Sequence, residues 1–158
     1  MSGRRNVLAR SIGTRLTAAL VMMFGFGSVL AAETEVVVIG NPRLDVSAVN
    51  AQVIADLYLG RAVQLSTGQR VEVVDLPVGH PVRDEFYSRI LGRDPDQIRA
   101  YWAKRIFTGK GTPPLVRGDE AAVVRWVREA PGRIGYVSSG AVTDSVQVLL
   151  RSGGTKSR

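Results

Sequence analysis

Short apolar runs rich in β-branched residues alternate along this chain with amphipathic stretches that carry their own caps, and this alternation restricts the fold more than composition does. EVVVIG, from Glu35 to Gly40, is bounded by Gly40-Asn41-Pro42 and predicts a largely buried strand. Behind Asn50, a good N-cap, Val53, Ile54, Leu57 and Tyr58 recur at helical spacing until Gly60, which predicts a short helix. Thr67-Gly68 turns the chain into a second strand, Val71 to Leu76. Pro81 opens a second helix, with Phe86, Ile90 and Leu91 on one face and Gly92 at its end. Asp94 and Pro95 open a third, whose Ile98, Tyr101, Trp102 and Ile106 form a core-facing stripe that stops at Gly109. Asp119 caps a fourth, and because Val123, Val124, Trp126 and Val127 cover much of its circumference it is predicted to be well buried. Pro131-Gly132 leads into a strand near Ile134 to Val137, and VQVLL, Val146 to Leu150, makes the last. Strands separated by helices predict an α/β layer architecture: a small, at least partly parallel sheet of about four strands flanked by about four helices.

Ahead of this pattern, residues 1–32 read as an export signal. Arg4, Arg5, Arg10 and Arg15 form a basic head, a mostly apolar run spans Leu16 to Leu30, and Ala31-Ala32 supplies the small residues that a signal peptidase accepts. A retained membrane anchor is the competing reading, but the run is shorter than the about twenty residues that spanning requires. Arg4-Arg5 sits where a twin-arginine signal would, so the route of export stays open. The domain is expected at residues 33–150, in the periplasm, with RSGGTKSR, residues 151–158, as a mobile tail. Subtracting 32 from 158 residues leaves 126, a usual size for one domain, and with no cysteine in the chain the fold must rest on its apolar core without disulfides.

The formal charge of +7 is concentrated at the ends. Without the signal's four arginines, 17 basic residues face 14 acidic ones, and Arg151, Lys156 and Arg158 account for the difference. Mixed, solvating charge of this kind does not make a basic face for nucleic acid. FTGKGTPP, Phe107 to Pro114, looks like a phosphate cradle, yet it fails the nucleotide-binding P-loop pattern: Lys104 stands where the first glycine belongs and Gly111 where a hydroxyl belongs. Asp84-Glu85 and Asp119-Glu120 are neighbours near helix starts, where they favour the macrodipole but cannot face each other across a substrate. With one histidine and no nucleophile, metal cluster or cofactor fingerprint, the expectation is a non-catalytic protein with neither cofactor nor metal.

Three phrases in order, VSAVNAQVIADLYLGRAV, YWAKRIFTGKGTPP and APGRIGYV, resemble the substrate-binding proteins of phosphate ABC importers, and more closely their short single-lobe relatives. The resemblance runs from about Glu35 to Leu150. It implies one α/β lobe of a type II periplasmic-binding-protein-like fold and, as partners, a small oxyanion and an ABC importer or another envelope protein. In the full-length family a segment after a strand wraps phosphate with serine, glycine, threonine and arginine groups at a helix N-terminus. Matching Arg83, Asp84 and Phe86 of DLPVGHPVRDEFY to that pattern leaves His80 in place of serine, Val82 in place of threonine, and Leu76 near the expected arginine. What remains is Gly79, a helix N-terminus and Arg83. An under-coordinated multiply charged anion is costly to bury, so tight phosphate binding by one such lobe is not expected. Two copies would rebuild a two-sided cleft, which makes a homodimer a further expectation; loss of ligand binding in favour of a scaffolding role is the alternative.

Ligands of open α/β sheets gather beyond strand ends and at helix N-termini, which directs attention to the segments there. The candidate ligand contacts are Asn41, Gly79, His80, Arg83, Thr108, Gly109, Lys110, Gly111, Ser138 and Ser139. Most have a plainer reading: Asn41 as a turn before Pro42, His80 as a helix cap, Gly109 to Gly111 as a helix stop, Ser138-Ser139 as ordinary loop polarity.

Overall fold

The run Val36-Val37-Val38-Ile39 has no polar residue to turn toward water, so it needs cover on both faces. A computed structural model, which describes residues 35–153, provides that cover: the run is strand β1 (Val36–Gly40), buried along its whole length. With β2 (Glu72–Asp75), β3 (Leu115–Val116), β4 (Arg133–Ser138) and β5 (Gln147–Arg151) it forms a five-stranded sheet ordered β3-β2-β4-β1-β5. β2 is parallel to β3 and β4, whereas β1 is antiparallel to both β4 and β5, so the sheet is mixed with β1 reversed. The expected export segment, residues 1–32, lies outside the described residues. No helix among the described residues is long and apolar enough to cross a membrane.

Side chains alternate across β4, and the two faces receive different helices. Gly135 lies under α4 (Glu120–Glu129), where a Cβ would fall 2.5 Å from Val123 Cγ1 and 3.1 Å from Val127 Cγ2; the absence of a side chain lets the helix settle onto the sheet. On the other face Tyr136 stacks on Phe86 of α2 (Pro81–Arg89), with ring centroids 3.9 Å apart and planes 3° from parallel. Tyr58 of α1 (Ala51–Tyr58) tilts against both rings, at 4.6 Å from Phe86 and 5.7 Å from Tyr136. Helix α3 (Pro95–Phe107) packs on α2, and its Tyr101 hydroxyl donates to the Leu59 carbonyl at 2.7 Å.

The caps read from sequence form as expected. Asn50 accepts from the Val53 N–H at 3.0 Å, Asp119 from Ala122 at 2.7 Å, and Asp94 with Gln97 completes a capping box. The predicted burial of Val123, Val124, Trp126 and Val127 also holds. Three features differ. A fifth strand, β3, adds to the expected four; it has only two residues, both exposed, and is defined by its pairing to β2, Val74 with Leu115 and Asp75 with Val116. Ile106 is 55% exposed and does not join the core; of the expected stripe, α3 buries Ile98 and Trp102, and the exposed Phe107 beside Ile106 shows that the last turn is open to solvent. Ordered structure also continues beyond Leu150: Arg151 belongs to β5, and the Ser152 hydroxyl accepts from the Val36 N–H at 2.9 Å while the Ser152 N–H donates to the Val36 carbonyl at 2.8 Å.

Candidate functional site: a cleft beyond the end of strand β2

Strand β2 ends on Asp75, a charged residue on a buried strand. The Val73–Ile134 pairing sets Asp75 beside Tyr136, two residues further along, on the face covered by α2. There it is 4% exposed and collects four donors. Oδ1 accepts from the Leu76 N–H at 2.9 Å and from the Tyr136 hydroxyl; Oδ2 accepts from the Tyr87 hydroxyl at 2.9 Å and from Arg83 Nε at 3.2 Å. Burial pushes the phenols of Tyr87 and Tyr136 upward and the Asp75 charge adds to the effect, so both hold their protons and remain donors. The Arg83 guanidinium also lies over the Tyr87 ring, 4.7 Å from its centroid. Burial works against its charge while Asp75 supports it, and the net shift is upward.

Next to this network opens a cleft of about 370 Å3, lined by Asp75 and Arg83 on the β2–α2 side, Ile98 and Trp102 on α3, and Pro114 and Val116 leading into β3. Arg83 is 8% exposed, yet only its Nε is bonded. Its terminal nitrogens make no further hydrogen bond of standard geometry among the described residues, although the guanidinium acts on the Tyr87 hydroxyl beside it, and neither nitrogen is sealed from solvent. They are the buried cationic donors on the β2–α2 side of the cleft. The Trp102 indole N–H, on the α3 side, is buried with no hydrogen-bond partner among the described residues.

Of the residues selected from sequence, Arg83 lines the cleft, while Gly79 and His80 stand in the turn that leads from β2 into α2 without lining it. Gly79 takes φ +84° in the turn after β2, and His80 caps α2, its Nδ1 accepting from the Val82 N–H at 3.3 Å. The others are elsewhere. Thr108, Gly109, Lys110 and Gly111 do not line the cleft. The N–H groups of Thr108, Gly109 and Lys110 donate to the carbonyls of Lys104, Ile106 and Arg105, and so finish α3 instead of forming an anion nest. Ser138 gives its N–H and hydroxyl to Glu120 Oε2, the latter at 2.7 Å, and the exposed Ser139 donates its N–H to the Glu35 carbonyl at 2.9 Å. Asn41, at the end of the reversed strand β1, clamps the end of α4 through bonds of 3.0 Å to the carbonyls of Val127 and Arg128. A second depression surrounds Asn41, with Arg43 and Arg128.

Asp75, Tyr87 and Tyr136 are not among the residues selected from sequence. The available signal is an acid placed within the apolar run VEVVDL, followed by an arginine eight residues on.

No protein-family profile matches the sequence, and no curated protein matches it. Solved structures do. An ABC-type phosphate transport receptor from Vibrio cholerae aligns with TM-score 0.52 and 15% identity over 72% of this chain and 44% of its own. A phosphate ABC transporter substrate-binding protein from Clostridium perfringens, solved with phosphate bound, aligns with TM-score 0.55 and 18% identity over 72% and 43%. PstS from Borrelia burgdorferi aligns with TM-score 0.55 and 11% identity over 72% and 46%. This chain therefore spans less than half the length of each of these structures. At such identities the likeness speaks of fold: an α/β lobe of the type II periplasmic-binding-protein-like class.

Proposed function

We propose that this protein is an exported, non-catalytic solute-binding module that captures a small anion in the cleft beyond β2 and works with an envelope partner such as an ABC importer. The observation that carries the reading is Arg83: a side chain about nine-tenths buried, anchored through Nε to Asp75, whose terminal nitrogens make no further hydrogen bond of standard geometry among the described residues. An arginine fixed by its inner nitrogen presents its outer pair as a rigid fork for an oxyanion. The structural likeness to phosphate-transport receptors supports the same class of role. Residues 1–32 serve as the export signal in this reading. The departures at Leu76, His80 and Val82 leave the anion with fewer side-chain donors than the resemblance implies, so capture is weak in one lobe alone.

A ligand that binds only the folded chain raises its melting temperature by mass action. The test is a thermal-shift series on the purified protein at low salt with phosphate, sulfate and carboxylates. A concentration-dependent rise with at least one anion, reduced in Arg83→Gln, is expected; no rise with any of them overturns the reading.

A further inference from the structure

We propose that the cleft takes a small organic carboxylate with an apolar body, such as a short fatty acid or an aryl acid, in preference to inorganic phosphate. The inference rests on the solute-binding reading above and names the ligand class for the same site.

Three features select the class. The first is the donor set. Arg83 offers two outer nitrogens in one plane, a geometry that one carboxylate satisfies bidentately, whereas phosphate needs donors around a tetrahedron. The second is the state of Asp75. Hydrogen phosphate carries hydroxyls that need an acceptor once it leaves water. Asp75 is the carboxylate lining the cleft, and both of its oxygens are already committed, to Leu76 and Tyr136 on one side and to Tyr87 and Arg83 on the other. A carboxylate anion brings no proton to place. The third is the wall. Leu76, Ile98, Trp102, Ile106, Pro114 and Val116 give a surface that gains by covering hydrocarbon but cannot replace the hydration of a multiply charged ion. Ile106 and Val116 are exposed, so a ligand chain along them also removes apolar surface of the protein from water.

The cleft volume is near the lower end of the about 300–1,000 Å3 typical of small-molecule sites, which fits a short chain or a single ring and not a long lipid. Arg99, lining the same cleft, pairs with Asp96 at 2.9 Å. With Arg99 paired to Asp96, the outer nitrogens of Arg83 are the cationic group that would engage an anion and not a neutral molecule of the same shape.

Calorimetry and thermal shift on the full chain with octanoate, phenylacetate, 1-octanol and inorganic phosphate decide the matter. Octanoate or phenylacetate is expected to bind at least about tenfold more tightly than phosphate and than 1-octanol, a difference of about 1.4 kcal/mol. Arg83→Gln is expected to abolish the preference for octanoate over 1-octanol. Because Arg83 belongs to a buried network, a second variant, Ala103→Trp, fills the cleft from an exposed position of α3 and is expected to weaken binding of both apolar probes while leaving the melting temperature of the free protein within a few degrees. Phosphate binding without carboxylate binding overturns this inference and leaves the solute-binding reading intact. Equal binding of octanoate and 1-octanol also overturns it, because Arg83 then contributes nothing. No response to any probe overturns both.

Discussion

Replacing Asp75 with alanine removes the acceptor shared by four donors, and the consequences for its partners are unequal. The Leu76 N–H keeps a second acceptor, the Tyr136 hydroxyl at 3.2 Å. The Tyr87 hydroxyl loses the acceptor it has, and Arg83 loses its carboxylate while staying charged at any accessible pH. A buried charge stripped of its partner costs about 3–5 kcal/mol; because the outer nitrogens of Arg83 reach solvent, the lower half of that range applies, and the orphaned phenol adds about 1 kcal/mol. Asp75→Ala is therefore expected to lose about 4 kcal/mol, a large part of the about 5–15 kcal/mol that holds a domain together. Arg83→Met leaves Asp75 with three donors and keeps the aliphatic stem, so about 1–2 kcal/mol is expected. Urea unfolding followed by tryptophan fluorescence measures both. An Arg83→Met cost equal to or above that of Asp75→Ala, or an Asp75→Ala cost below about 1 kcal/mol, would refute the account of the network.

Two further outcomes follow from other buried groups. Tyr58, Tyr87 and Tyr136 have phenols raised above the ordinary tyrosine value, chiefly by burial, so below about pH 10 folded and unfolded chains both keep these protons, and above it only the unfolded chain releases them. Stability should be flat up to about pH 10 and then fall by as much as about 4 kcal/mol per pH unit for the three together, with phenolate absorbance from these residues appearing only as the chain unfolds; early, stepwise ionisation in the folded protein contradicts this. Asn41→Ala should cost about 2–4 kcal/mol by freeing the Val127 and Arg128 carbonyls and the Arg43 N–H, while leaving the anion response in thermal shift unchanged, which would separate its structural role from any ligand role.

The elements were legible because their signals are local. Asn50, Asp94 and Asp119 cap helices through bonds that reach only three residues along the chain, and β1 announces itself as an unbroken β-branched run. β3 had no such signal, since two exposed residues become a strand only through pairing with β2. The site was partly legible for the same reason. Arg83 and the α2 cap are found by counting from Pro81, but Asp75 meets Tyr136 across 61 residues of chain, and its importance depends on strand register. FTGKGTPP illustrates the converse: its glycines and lysine resemble an anion nest, while Gly109 at φ +65° simply ends a helix.

The reversed, fully covered strand β1 also affects how the chain can assemble. Both of its neighbours lie close to the far end of the sequence, Val36 pairing with Ser138 and Val37 with Arg151. A growing chain thus releases this fully buried β-branched run early and completes its partner strands last, so a truncated product lacking β4 and β5 leaves both edges of β1 unpaired. Non-local closure of this kind is slow and leaves a β-branched run open to self-association in the meantime. If the chain is exported as proposed, that delay would keep the sheet from closing on the wrong side of the membrane.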